Sequence, residues 1–130
     1  MKYFLFFTLG VVCMTGCKKP IFDYRLKYLG TYQVTSYNTS WVMGQAQLID
    51  TSFYSIEVKR SDERYYIDFI SENGETSYLI ETNGKLHYKS HDFHYQVSGN
   101  FTDKNHFELS GGYYGLGGGN SFKAFGIKQK

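Results

Sequence analysis

The chain has 130 residues, with 14 Lys and Arg against 12 Asp and Glu and one Pro, so it holds a single domain and lacks the clustered basic face of a nucleic-acid binder. With 13 Tyr, 11 Phe and 14 Gly, its composition favours strands over helices or disorder. At this size a barrel or a sandwich buries a sizeable core without disulfides.

In chain order, Met1-Lys2 comes first, followed by an apolar run from Tyr3 to Met14 that is broken by Thr8 and Gly10. A short cationic start, an apolar run and small residues at its end describe a secretory signal peptide. The run falls short of the ~20 residues that cross a ~30 Å hydrocarbon core as a helix, so no permanent transmembrane anchor is expected. Cys13 lies inside this run and Cys17 just beyond it. A disulfide would need both in the mature chain, and a zinc site about four ligands.

Met14-Thr15-Gly16-Cys17 resembles the lipobox of bacterial lipoproteins, with Met14 standing where Leu is usual. The resemblance implies that residues 1–16 are a signal, cut before Cys17. A diacylglyceryl group would sit on the Cys17 sulfur, and the new amine would be acylated with a fatty acid such as palmitate. Attachment at sulfur needs a nucleophilic thiolate, and several acyl chains hold a protein on a bilayer where one is marginal. The implied address is the cell envelope, at the outer membrane. The membrane itself is then a partner, with Lys18-Lys19 beside its headgroups.

Residues 17–29 form a tether with one or two helical turns. Asp23 is the expected N-cap, Phe22, Leu26 and Leu29 share a face, and Gly30 stops the helix. From residue 30 to 130 the period changes to two. The expected strands are Thr31–Asn38, Ser52–Arg60, Arg64–Ser71, Thr76–Thr82, Lys85–Ser90, Phe93–Phe101, His106–Gly111 and Ser121–Lys128.

Turn chemistry sets the registers. Ser61-Asp62 pairs Val58 with Tyr65, Asn73-Gly74 pairs Phe69 with Tyr78, and Thr82-Asn83-Gly84 pairs Ile80 with Leu86. His91-Asp92 pairs Leu86 with Val97, and Asp103-Lys104-Asn105, with Asn105 left-handed, pairs Phe101 with Phe107. One face then stays apolar: Tyr54, Ile56, Val58, Tyr65, Ile67, Phe69, Tyr78, Ile80, Leu86, Tyr88, Tyr95, Val97, Phe101, Phe107 and Leu109. Tyr32 and Val34 join it from the first strand, and either Phe122 and Ala124 or Phe125 and Ile127 from the last. A meander with one buried face must close or be capped. The fold expected is all-β, a single antiparallel meander of about eight strands closed into an up-and-down barrel, with a two-sheet sandwich as the alternative.

Two connections read as long loops. Thr39 to Asp50 carries Trp41 and Met43, and Gly111 to Asn120 carries Tyr113 and Tyr114. Loops of that length are often functional, which makes these four residues the candidate contacts for a ligand or partner.

The short helix, Gly30-Thr31-Tyr32 entering the first strand, the long first loop and the meander together resemble the lipocalin-like barrels. Tyr32 stands where lipocalins carry Trp, and the last strand has no Arg to partner it. Gly16-Cys17-Lys18-Lys19 and Leu116-Gly117-Gly118-Gly119 also resemble a group of small bacterial lipoproteins. These likenesses imply location and fold, not an activity.

No catalytic constellation emerges: there is no Gly-x-Ser-x-Gly elbow, and no Cys remains as a nucleophile once Cys17 is acylated. The Gly run lacks the Lys and helix of a phosphate loop. His87, His91, His94 and His106 read as surface residues, because Lys85 and Lys89 lie beside them, and no metal or other cofactor is expected. The tyrosine-rich inner face is either a packed core or a cavity lining. The function expected is a non-catalytic barrel that binds a small hydrophobic ligand at its open end. The alternative is an accessory lipoprotein that docks an envelope protein through its aromatic and Gly-rich loops.

Overall fold

The computed structural model describes residues 22–88 and 95–130. The expected signal segment, Cys17 and the expected His91-Asp92 turn, with His94, lie outside these residues. A 3-10 turn, Tyr24–Tyr28, leads into eight strands: β1 Gly30–Val42, β2 Leu48–Arg60, β3 Tyr66–Ser71, β4 Gly74–Ile80, β5 Lys85–His87, β6 Tyr95–Phe101, β7 His106–Gly115 and β8 Gly118–Lys128. Each pairs antiparallel with the next, and β8 pairs with β1, so the sheet is a closed, lipocalin-like barrel and not a sandwich.

The register of β4 with β5 (Ile80 opposite Leu86) and of β6 with β7 (Phe101 opposite Phe107) is the one the turns predict. Gly84 takes φ +91, and a Cβ there would press on the Tyr28 hydroxyl and the Phe101 carbonyl, so this turn requires glycine. Asn105, by contrast, is not left-handed. The Asp103 carboxylate accepts from the Asn105 N–H at 2.6 Å and shapes that turn instead.

Other registers differ by even numbers. Phe69 faces Thr76, Leu86 faces Gly99 and Val58 faces Phe69, where Tyr78, Val97 and Tyr65 were expected. Even slips keep every side chain on its face, so the inner row survives except at Tyr65. The β2–β3 turn takes in residues 61 to 65, and Tyr65 turns the chain at φ +71 while its carbonyl accepts from the Ile80 N–H at 2.8 Å. Tyr65 is therefore exposed beside Arg64.

The two expected long loops are strands. β1 and β2 run on to a turn over residues 43 to 47, and β7 and β8 meet at Leu116-Gly117. Glycine disfavours strands because it brings no side chain to pack. Here neighbouring rings take that space: Trp41 lies over Gly119, and Phe122 lies where a Gly111 side chain would stand.

The core is aromatic and sits at the end where the chain enters. Tyr32, Ile67 and Leu86 are fully buried, and Phe107 packs 5.3 Å from Tyr32 and 5.1 Å from Phe69, ring centre to ring centre. Phe122 and Ala124 supply the inner face of β8, while Phe125 and Ile127 point out. Lys128 Nζ lies 5.9 Å from the Tyr32 ring, so a last-strand cation does cover that ring, as Lys in place of Arg.

The 3-10 turn plugs this end. Asp23 caps it as expected, accepting from the Arg25 N–H, but the buried side is Tyr24 and Tyr28, not Phe22 and Leu26, which are exposed. Hydrogen bonds select that side. Tyr24 Oη donates to the Ile80 carbonyl at 2.7 Å, Tyr32 Oη to the Tyr28 carbonyl at 2.7 Å, and Arg25 to the Glu63 and Tyr66 carbonyls. Tyr28 stacks on Phe101 at 4.3 Å.

The Arg25 guanidinium, by hydrogen bonding, holds the Asp23 carboxyl below the ordinary aspartate range. A carboxylate lowered in this way stabilises the fold above its unfolded pKa and loses that contribution as pH falls through the folded value. Thermal melting followed by circular dichroism should therefore show Asp23→Asn less stable than the parent chain at neutral pH. The gap should narrow as pH falls from about 5 to about 3; a gap that does not change with pH would contradict the role given to Asp23.

Candidate ligand-binding end

The strands differ in length, and that difference shapes the site. β2 pairs with β3 only over Glu57–Arg60, whereas it pairs with β1 all the way to Leu48. Among the described residues, β2, β1, β8, β7 and β6 therefore continue beyond the core as a curved half-barrel that β3, β4 and β5 do not follow. The inner row of side chains emerges into an open mouth there, opposite the plugged end.

One wall of the mouth is polar. Ser36 Oγ donates to Asn38 Oδ1 at 3.3 Å, and Asn38 Nδ2 donates to Ser52 Oγ at 3.2 Å. The other wall is aromatic. Tyr78 lies 5.8 Å from Tyr88, Tyr88 lies 6.1 Å edge-on from Tyr95, and Phe122 is half-buried beside them. Tyr54 is 40% and Tyr113 is 42% exposed on this inner side. A depression of about 670 Å³ against β6, β7 and β8 is lined partly by the inner residues Tyr88, Tyr95 and Phe122 and partly by outer-face residues such as Gln96, Tyr114 and Lys123.

Burial is the main cause that raises the phenol pKa values here. Tyr78 is pushed up by desolvation first and then by Tyr95, Tyr88 and Tyr54. Tyr95 is raised by burial and Tyr88, and Tyr54 by burial against a hydrogen bond with Ser36. All three therefore stay neutral at physiological pH and can donate or accept a hydrogen bond.

The four candidate contact residues separate. Trp41 and Tyr114 come together on the outer face, with ring centres 5.7 Å apart across Gly119. Met43 sits at the β1–β2 turn, 81% exposed, and its N–H donates to the Gly117 carbonyl, joining the two hairpin tips. Of the four, Tyr113 belongs to the inner mouth, opposite Tyr95. Tyr54, Tyr88 and Tyr95 belong to the tyrosine-rich inner face that the sequence leaves open as core or cavity lining, and here they are only partly buried.

The histidines among the described residues pair with carboxylates at the surface. His87 Nε2 lies 2.6 Å from Glu81 Oε1, and His106 Nδ1 lies 2.8 Å from Asp103 Oδ2. Those contacts help lower the Glu81 and Asp103 carboxyl pKa values, with the Asn105 N–H the larger cause for Asp103. Among the described residues no group of three His, Cys, Asp or Glu gathers as a metal site would need, and no helix is long and apolar enough to cross a membrane. The chain matches no protein family, no curated protein and no solved structure.

Proposed function

We propose that the chain is a lipid-anchored, non-catalytic barrel of the bacterial cell envelope, probing its surroundings with an open end that takes a small hydrophobic ligand. The observation that carries this reading is the partly exposed tyrosine row. Among the described residues, the inner aromatic face that is sealed at one end continues past the ends of β3, β4 and β5. A site with an aromatic wall and a few fixed polar groups suits a ligand with an apolar face and a hydrogen-bonding edge. The lipobox-like Met14-Thr15-Gly16-Cys17 supports the anchor.

The two halves of this reading agree in direction. The stretch from Cys17 to Asp23 can reach at most about 20 Å, and Asp23 belongs to the plugged end. β1 then runs ~40 Å, at ~3.3 Å per residue, to the hairpin tips. An anchor at Cys17 holds the plugged end near the bilayer and presents the mouth away from it.

Titration with an apolar fluorescent naphthylamine tests the ligand site. Saturable binding at one probe per chain is expected, weakened at least about tenfold by Tyr95→Ala and little changed by Trp41→Phe on the outer face. Binding that does not saturate, or that ignores Tyr95→Ala, would contradict the mouth as the site.

A second reading is favoured by the tips. Met43 and Leu116 stand free in solvent beside the Trp41–Tyr114 pair, a surface suited to docking an envelope protein. It would gain support if Trp41→Ala abolished the recovery of a specific protein crosslinked in intact cells.

A further inference from the structure

The edge of β2 that faces away from β1 is bare. β3 covers it only from Glu57 onward, and among the described residues no strand pairs with Leu48–Tyr54 on that side. The Ser61 N–H donates to the Tyr66 carbonyl across the β2–β3 pair. Odd-numbered residues of β2 therefore point their backbone groups away from β1, and among the described residues no strand pairs with the N–H and C=O groups of Ile49, Thr51 and Phe53 at this edge.

Natural edges are blunted by Lys, Pro, bulges or a covering element. This stretch has none of the first three, and its single charge is Asp50. Ile49 and Phe53 on the outer face are 71% and 76% exposed, and Leu48 on the inner face is 71% exposed.

We infer that this edge pairs antiparallel with the same edge of a second copy of the chain, about a twofold axis through Thr51. Hydrogen bonding allows only registers that set odd residues against odd. With Thr51 opposite Thr51, Ile49 meets Phe53 on the outer face, Leu48 meets Tyr54 on the inner face, and Asp50 meets Ser52. Shifting the pairing sum down by two residues sets Asp50 against Asp50, like charges directly opposite. Shifting it up by two sets Asp50 against Tyr54 and Ile49 against Ser55, and its one apolar match, Leu48 with Ile56, calls on a side chain already buried in the core. One register is thus complementary on both faces, supplies about six inter-strand hydrogen bonds and forms the isologous contact of a closed dimer. It engages Tyr54 at the rim of the mouth and leaves the Tyr88–Tyr95 wall of each copy uncovered.

The test is sedimentation of the full chain in non-ionic detergent from about 1 to about 100 μM. The parent chain is expected to pass from monomer to dimer in that range. Thr51→Pro removes an N–H that points to the free edge and not to β1, so the barrel should keep its far-ultraviolet spectrum and stay monomeric. Phe53→Lys, a surface change, should weaken dimerisation at least about tenfold and decides the matter if proline disturbs β2. A parent chain that stays monomeric throughout overturns the proposal and leaves the edge to a strand of another protein. Dimers undiminished by Phe53→Lys overturn it as well.

Discussion

Phe107→Ala is expected to cost about 3–5 kcal/mol, a large part of the roughly 5–15 kcal/mol that holds a domain folded. The side chain is 1% exposed and its ring meets Tyr32, Phe69 and Phe101, so truncation opens a cavity at the centre of the plugged end. Its fourth neighbour is a glycine. Gly126 lies opposite Phe107 on β8, and any Cβ there would fall inside the Phe107 ring.

Gly126→Ala alone should therefore destabilise by about 1–3 kcal/mol or more, as an overpacked core does. In the Phe107→Ala background the added methyl enters space the ring has left, and most of that penalty should vanish. Denaturant unfolding of the two single variants and the double variant measures the difference, expected as a coupling of roughly 0.5–3 kcal/mol. Strictly additive costs would mean that β8 does not close on β7 over this ring.

Most of the barrel was legible because its inner face obeys a period of two. Ile56, Val58, Ile67, Phe69, Ile80, Leu86, Val97 and Leu109 are buried whatever the slip, provided the slip is even. Registers were legible where a three-residue turn had one good solution, as at Gly84. At Asn73-Gly74 the local rule lost. The chain turns one residue earlier, the Ser71 hydroxyl accepts from the Asn73 N–H, and Gly74 opens β4 at φ +136.

The hairpin tips were hidden for a different reason. Gly111, Gly118 and Gly119 carry no alternation, and what packs them is Trp41 and Phe122 from elsewhere in the chain. The candidate site followed from those lengths. The period of two places Tyr54 and Tyr95 on the inner face, but the exposure of Tyr54 depends on β2 outrunning β3, which no residue of either strand announces. Trp41 and Tyr114 were singled out as loop aromatics and meet because Gly119 leaves room between them.

The proposed anchor makes the other large prediction. Cys17 is the residue whose thiolate the lipoprotein chemistry requires, and its acyl chains would each contribute roughly 0.8 kcal/mol per buried CH₂. Several chains together hold a protein stably on a bilayer where a single one is marginal. The membrane address thus rests on one sulfur atom. Fractionation of cells that express the parent chain and Cys17→Ala, with radiolabelled palmitate in the medium, tests it most directly. The parent should carry label and sediment with the membranes, and Cys17→Ala should carry none and lose membrane retention through the acyl anchor. A Cys17→Ala chain that is still labelled and still retained would contradict the account.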